Sequence, residues 1–293
     1  EIHNRPSYLN SIYSHTNAKL ILYFHNDPLQ MNGSKSVNDR INLFIKSEKI
    51  IFNSEWSKKR FLINLKKKFN DNDKLEVIQQ STSKVKLDFS KKQKLITFVG
   101  KLNRAKGYDI FGNAIIKILN KYPDWKSNVY GDEPREKIIF NHKNLNILGF
   151  QSHKKVLDNF KKTSITIACS RWEEPFGRTS LEASSRGCAV IISNRGGLPE
   201  TSKNALILKK LNSKSLFKAI DKLIKNNKER KKIQLKSYNN FYLTNEYISK
   251  KIDKYRRFVY FFNQKRILTA KRNKFKILHI TNFNERHNGR LFY

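Results

Sequence analysis

Cysteine is scarce in this sequence, whose 293 residues include only Cys169 and Cys188. The two lie 19 positions apart, outside any CxxC pair and away from a histidine cluster, so neither a disulfide framework nor a zinc site is indicated. Each lies in a short apolar run, which predicts two small buried side chains in a reducing compartment.

Long hydrophobic runs are also missing, since no stretch approaches the roughly 18 apolar residues of a spanning helix. This excludes a conventional transmembrane anchor. The chain starts EIHNRP, with neither an initiator methionine nor a signal peptide, so we expect this start to be a cut rather than a natural terminus. The expected location is the cytoplasm, with peripheral contact at the inner face of the membrane as an alternative.

Acidic residues are few: 24 Asp and Glu face 60 Lys and Arg, giving a formal net charge of +36. Such an excess favours polyanionic partners, namely nucleic acid, an anionic membrane surface or phosphate-bearing substrates. Lysine, asparagine and isoleucine are enriched along the whole chain, as an AT-rich coding sequence would also produce. The hydrophobic content of 38% is enough to bury a core and excludes a wholly disordered protein.

Short runs rich in isoleucine, valine and phenylalanine alternate with longer segments of helical period, a pattern typical of βαβ units. The predicted strands are 20–24, 49–53, 75–78, 95–100, 128–131, 165–169, 189–193 and 205–208. The predicted helices are 54–68, capped by Ser54, and 109–121, 179–186 and 213–226. The helix at 109–121 is predicted to carry one apolar face, formed by Ile110, Ala114, Ile118 and Leu119. The fold class is therefore α/β, with parallel sheets covered on both faces.

A polar, lysine-rich segment at 81–93 is predicted to link two α/β domains. The predicted divisions are a partial N-terminal domain at 1–88, a second domain at 94–245, a helical segment at 246–273 and a remainder at 274–293. That remainder, KFKILHITNFNERHNGRLFY from 274, has the pattern of a strand entering an Asn/Gly loop. It is predicted either to begin a further domain or to add an edge strand to the second one.

The most informative segment is SRWEEPFGRTSLEASSRGCAVIISNRGGLPET, residues 170–201. Glu174 and Glu182 are separated by seven residues, with a Pro-Phe-Gly turn and then a helical pattern between them. A helix that begins near Arg178 presents free amides and its positive dipole end beside Gly177, which makes an anion site. The carboxylates on either side of this anion site can accept hydrogen bonds from sugar hydroxyls. A phosphate at the helix start with hydroxyls on both sides describes a nucleotide sugar. The spacing alone also fits a solvated helix with two surface glutamates.

This segment resembles the retaining glycosyltransferases of the GT-B fold, family 4, in which E-x-F-G-x3-L-E-A-x3-G precedes a GG-x-P-E loop, here residues 196–200. The resemblance implies two Rossmann-like domains whose parallel sheets face a cleft, the N-terminal one being incomplete here. It also implies that Glu174 approaches the donor sugar and that Glu182 binds the ribose hydroxyls. The amides from Phe176 to Arg178 would hold sugar and phosphate.

Upstream, FVGKLNRAKGYDI at 98–110 resembles the strand and loop of the same family written G-R-L-x3-K-G. The resemblance assigns Gly100 and Lys106 to the donor and places Lys101 where arginine is usual. Two cations at a strand end neutralise a departing diphosphate, although an ammonium lacks the two-pronged contact of a guanidinium. Arg104 is an alternative cation.

Two further loops extend the resemblance. VYGDEPRE at 129–136 resembles the family's G-x-G-P loop, with Asp132-Glu133 in place of the second glycine. NILGFQSH at 146–153, which contains Phe150, resembles the loop whose backbone frames the base. Because main-chain groups read the base there, the side chains do not decide between a uridine and a guanosine nucleotide.

The N-terminal part resembles the second half of the acceptor domain. In YFHNDP, His25 matches a family histidine that points at the donor sugar, with a purely structural histidine as the alternative. Near the other end, the aromatic run at 256–262 is flanked by cations. It fits either a membrane interface for a lipid-linked acceptor or a helix packed against the protein.

The resemblance implies transfer of a sugar from a UDP or GDP sugar to a saccharide or lipid-linked hydroxyl, with retention, in polysaccharide or lipopolysaccharide synthesis. No metal is expected, because the sequence shows no DxD motif of the metal-dependent kind and cations with a helix dipole can stabilise the diphosphate. One alternative is an inactive donor-binding fragment. A basic nucleic-acid-binding protein is disfavoured, since the cations are spread along the chain and no such motif occurs.

Overall fold

The computed structural model describes residues 1–69 and 72–267. Its described residues divide into two compact units, one made of residues up to 80 together with 245–267, the other of residues 81–244. Each unit is built on one parallel sheet, which confirms the predicted α/β class. The predicted domain boundaries stay predictions, and the strand predicted after 274 lies outside the described residues.

The first unit has a four-stranded parallel sheet in chain order. Its strands are β1 (Ile2–His3), β2 (Ile21–Phe24), β3 (Lys49–Phe52) and β4 (Leu75–Val77). The helices between them are α1 (Pro6–Ser14), α2 (Val37–Lys46) and α3 (Glu55–Leu62). The core forms where the strands bury Phe24 and Phe52, whose rings stack 5.5 Å apart, against Phe61 of α3. Burial of such rings is a main source of stability.

The helix predicted over 54–68 is shorter than expected. Ser54 caps it as predicted, because its hydroxyl accepts the Ser57 amide at 3.0 Å. The helix nevertheless ends at Leu62, and Asn64 follows with φ +63°. This left-handed conformation, which asparagine tolerates, stops the helix.

A buried arginine also stabilises the end of α3. Arg40 of α2 is 2% exposed, and its Nη1 donates to the carbonyls of Phe61 and Ile63 at 2.5 and 2.7 Å. The last carbonyls of a helix have no partner inside the helix, so this guanidinium supplies one. Burial lowers the pKa of Arg40 from its usual value.

The second unit has a six-stranded parallel sheet. Its strands are β5 (Leu95–Val99), β6 (Lys126–Tyr130), β7 (Leu145–Ile147), β8 (Ile165–Ala168), β9 (Ala189–Ser193) and β10 (Leu206–Leu208). Its helices are α4 (Tyr108–Lys121), α5 (His153–Lys162), α6 (Arg178–Ser185), α7 (Ser213–Lys225) and α8 (Asn227–Asn239). The chain then enters α9 (Asn245–Ile267), which belongs to the first unit.

The strand order of this second sheet is β10-β9-β8-β5-β6-β7. The chain moves outward from β5 to β7, then returns to the other side of β5 and moves outward again from β8 to β10. The order therefore reverses between β5 and β8. In open parallel sheets, ligands bind at the carboxyl ends of the strands at such a switch point.

Packing of the second unit follows the predicted pattern. The helix face predicted on α4, formed by Ile110, Ala114, Ile118 and Leu119, is buried in the core. Cys169 and Cys188 are fully buried free thiols, as predicted, and burial raises the pKa of Cys169 to about 12.

All eight predicted strands are present, while β1, β7 and the helices α1, α2, α5 and α8 were missed. β1 and β7 span two and three residues, too few to show a period. α8 is predominantly polar and buries Gln234 and Ser237 rather than an apolar stripe, so it lacks the usual helical signal.

α9 joins the first unit through polar contacts. Arg256 donates from Nε and Nη2 to the two carboxylate oxygens of Glu1, each at 2.8 Å. Lys251 donates to the carbonyl of Val77 at 3.2 Å. Side chains from 258 onward, including most of the aromatic run, lie outside the described part. Within 1–69 and 72–267, no helix is both long and apolar enough to cross a membrane.

We predict that replacing Arg40 by Met lowers the free energy of unfolding by about 2 kcal/mol or more, because two carbonyls at the end of α3 lose a charged donor. Urea denaturation measures this. Lys59→Met is the matched control, since Lys59 lies exposed in the last turn of α3 and carries the same charge. Equal stability of the two variants would contradict the capping role.

Candidate functional site

The loops that follow β5 and β8 meet at the switch point of the second sheet. The carbonyl of Ala105, in the loop after β5, accepts the amides of Arg171 and Trp172 at 2.8 and 3.0 Å. Arg171 also forms a two-pronged pair with Asp109 at 2.6 and 2.8 Å. The two loops are therefore held together by backbone and side-chain contacts.

Across this junction, Lys106 and Glu174 form an ion pair. Nζ of Lys106 lies 2.5 Å from Oε1 of Glu174, and the two side chains are 32% and 15% exposed. Both side chains are thus partly accessible to a ligand. Both were predicted as site residues from the sequence, where they lie 68 positions apart, and the structure brings them together.

The loop that carries Lys106 depends on a glycine. Gly107 precedes α4 with φ +74°, and a Cβ there would lie 2.0 Å from the carbonyl oxygen of Cys169. Only glycine allows both this conformation and this close approach. The amide of Lys106 donates to Oδ1 of Asn103 at 2.9 Å, which closes the turn before the helix.

The helix start predicted beside Gly177 is present. α6 begins at Arg178 with Gly177 as its N-cap, and the side chain of Phe176 is 2% exposed, which anchors the turn. Oγ1 of Thr179 donates to the carbonyl of Val99 at 3.3 Å, so the helix start lies beside the end of β5. The free amides and positive dipole end of α6 are thereby placed near Gly100 and the loop 101–106, which follows β5.

Glu182 lies one turn into α6 and is 5% exposed. Its Oε1 accepts Nη2 of Arg178 at 2.9 Å and lies 2.9 Å from Nε2 of His153. Burial alone raises the pKa of this carboxyl, but the His153 hydrogen bond and the Arg178 charge outweigh it and leave the pKa lowered. Glu182 is therefore ionised at neutral pH, and both partners contact Oε1, so Oε2 can accept hydrogen bonds from a ligand.

The loop Gly196–Glu200 is fastened to the backbone of Glu174. The Gly197 amide donates to the Glu174 carbonyl at 2.7 Å. Gly196 has φ +58°, and a Cβ there would lie 2.1 Å from the same carbonyl oxygen, which requires glycine. Glu173 adds a side-chain contact, since its carboxylate accepts the Gly196 amide at 2.5 Å and Nη1 of Arg195 at 2.9 Å.

Two predicted residues lie on the rim of this region. Lys101 is exposed and follows directly after Gly100, whose amide donates to the carbonyl of Tyr130 at 3.0 Å. Phe150 is 56% exposed in the loop between β7 and α5. The structure gives their positions, and their roles toward a ligand stay predictions.

His25 belongs to the first unit, at the carboxyl end of β2. Its Nε2 lies 3.0 Å from Nδ1 of His3, and its amide donates to Oδ1 of Asn4 at 3.1 Å. Nearby, the buried carboxylate of Asp27 pairs with Arg60 at 2.8 Å. The role of His25 toward a donor sugar stays a prediction.

The sequence did not predict several contacts within the candidate site. His153 reaches Glu182 across 29 positions, and Glu173 reaches Gly196 across 23. Both depend on how the loops fold, and neither has a periodic signal. Within 1–69 and 72–267, no group of three His, Cys, Asp or Glu side chains could hold a metal ion.

Comparison with known proteins gives the family. Residues 79–240, just over half of the chain, match the family described as glycosyl transferases group 1. Spore coat protein SA of Bacillus subtilis is 28% identical over 161 residues, 48% of this chain and 42% of that protein. The lipopolysaccharide core biosynthesis mannosyltransferase LpsB of Rhizobium meliloti is 27% identical over 131 residues, 41% of this chain and 37% of that protein. The chain thus spans less than half the length of either relative.

Comparison of folds agrees with this result. The crystal structure of Anabaena Alr3699/HepE in complex with UDP and glucose matches 86% of this chain and 76% of that chain, with a TM-score of 0.69 at 17% identity. The two parallel-sheet units therefore have the GT-B fold. From its matching residues 79–240 and from this fold, the chain belongs to the glycosyl transferases group 1 family.

Proposed function

We propose that this chain transfers a sugar from a nucleoside diphosphate sugar to a hydroxyl acceptor, with retention of the anomeric configuration. The observation that carries the proposal is the Lys106–Glu174 ion pair at the switch point, beside the start of α6. A cation, a helix N-terminus and a carboxylate converge there. These are the groups that a diphosphate joined to a sugar requires.

The diphosphate binds to Lys101, Lys106 and the amides at Gly177 and Arg178. An ammonium has three donors, so Lys106 can bind phosphate oxygens while it still holds Glu174. As the bond between sugar and phosphate breaks, negative charge grows on the leaving diphosphate. Donors already in place stabilise that charge more in the transition state than in the ground state, which lowers the barrier.

The two carboxylates bind hydroxyls on either side of the diphosphate. Glu174, oriented by Lys106 and by the Gly197 amide on its carbonyl, accepts from the donor sugar. Glu182 accepts from the ribose through Oε2, since Arg178 and His153 occupy Oε1. The backbone at Gly100 and Phe150 frames the nucleoside, and the role of His25 toward the donor sugar stays a prediction.

The acceptor is a saccharide or lipid-linked hydroxyl in cell-surface polysaccharide or lipopolysaccharide synthesis. The relatives support this setting, because one is a spore coat protein and another is a mannosyltransferase of lipopolysaccharide core biosynthesis. Peripheral contact with the inner face of a membrane stays a prediction.

We predict selective thermal stabilisation by UDP or GDP sugars, because a ligand that binds only the folded protein raises the melting temperature. A single-stranded oligonucleotide of matched charge is the control. Stabilisation by the oligonucleotide alone would support the nucleic-acid-binding alternative and contradict the proposal. Selective donor binding without transfer to any acceptor would identify a donor-binding fragment.

We predict that Lys106→Met lowers kcat about 10²-fold to 10³-fold, the usual loss when one donor to a developing negative charge is removed. Lys117→Met is the matched control, since Lys117 lies exposed on α4 and carries the same charge. Rates of donor hydrolysis or transfer measure the effect. An unchanged kcat in Lys106→Met would remove Lys106 from the site.

We predict that Glu182→Gln raises KM for the donor about tenfold or more with a smaller change in kcat. The ribose lies away from the breaking bond, so Glu182 contributes similar binding in the ground and transition states. Glu246→Gln, at an exposed position on α9, removes the same charge elsewhere. Equal KM values for the two variants would show that Glu182 does not contact the donor.

A further inference from the structure

A glutamate occupies a position where the resembling loop has glycine. Glu133 follows β6 and its side chain is 4% exposed, although it lies in a surface loop. Its carboxylate accepts Nε and Nη2 of Arg135 at 2.8 and 3.0 Å, a two-pronged pair. The neighbouring arginine thereby balances the charge of this carboxylate.

The same carboxylate reaches the loop that carries Lys106. Oε2 of Glu133 accepts Nδ2 of Asn103 at 3.2 Å. Oδ1 of Asn103 in turn accepts the Lys106 amide at 2.9 Å, and the Asn103 carbonyl accepts the Tyr108 amide at 3.1 Å. Two consecutive side-chain hydrogen bonds therefore connect Glu133 to the backbone of Lys106.

A second carboxylate contacts the same loop. Glu136 accepts the Arg104 amide with both oxygens at 3.3 and 3.4 Å, and its Oε1 lies 3.6 Å from Nε of Arg104. Residues 101–106 carry three cations and no acid, whereas residues 132–136 carry three acids and one arginine. The cations of residues 101–106 repel one another, and the carboxylates of residues 132–136 offset this repulsion.

We propose that Glu133 and Glu136 form a carboxylate clamp, defined by these two residues, that positions the loop 101–106, and that Glu133 is a positioning residue for Lys106. The effect on catalysis rests on the proposed function, whereas the effect on the loop does not. Without the clamp the loop must be ordered by the donor, at the expense of donor affinity.

Glu133 stays charged over the range of ordinary assays. Arg135 lowers the pKa of Glu133 to about 2, so the carboxylate is ionised from neutral pH down to well below its usual value. The stability that the ionised Glu133 contributes is therefore fully present above the unfolded-state pKa near 4.5 and is lost only as the pH falls toward about 2.

Hydrogen–deuterium exchange of the full chain, followed at the Lys106 and Tyr108 amides, tests the clamp without any ligand. We expect Glu133→Ala and Asn103→Ala each to accelerate exchange there about tenfold, because each breaks the same chain of hydrogen bonds from a different end. Asp132→Ala is the matched control, since it removes one acid from the same loop. Unchanged exchange in Glu133→Ala, or equal acceleration in Asp132→Ala, would overturn the proposal.

Donor kinetics give the second readout. We expect Glu133→Ala to raise KM for the donor about tenfold while kcat changes less than twofold, since saturating donor orders the loop again. A general loss of structure would lower kcat and the melting temperature together, and that result would overturn the positioning role. If the wild-type chain binds no nucleotide sugar, the proposed function fails, and the exchange result still decides the clamp.

Discussion

The ion pair between Lys106 and Glu174 joins the two halves of the second sheet where its strand order reverses. Each partner follows a different strand end. Gly107, next to Lys106, allows close approach to the Cys169 carbonyl, and Gly196 allows close approach to the Glu174 carbonyl. Because the start of α6 lies beside the same strand ends, one small region combines a cation, a helix dipole and a carboxylate. The proposed binding of a diphosphate sugar depends on this arrangement.

Much of the fold could be predicted from the sequence, because buried parallel strands are nearly continuous apolar runs. β9 and the apolar face of α4 are examples, and both are buried as expected. β1 and β7 are too short to show a period. The predicted end of α3 was wrong, because the helix stops before the left-handed Asn64 and Arg40 of a neighbouring helix binds the carbonyls at its end. Local propensity does not show such a contact.

The motifs located the candidate site but not its contacts. The Pro-Phe-Gly turn predicted the start of α6, and turn chemistry is local enough to be read from neighbouring residues. By contrast, His153 contacts Glu182 and Asn103 contacts Glu133 only after distant loops have folded together. The glutamate at 133 departs from the family pattern, and its partners in the structure give that departure a physical role.

The most direct test of the central claim is a crystal structure of the full chain with UDP bound. We expect Nζ of Lys106 and the amide of Gly177 or Arg178 to lie within hydrogen-bonding distance of the diphosphate, with the ribose at Oε2 of Glu182. UDP bound elsewhere on the second unit, with the Lys106–Glu174 pair out of contact with its phosphates, would contradict the account.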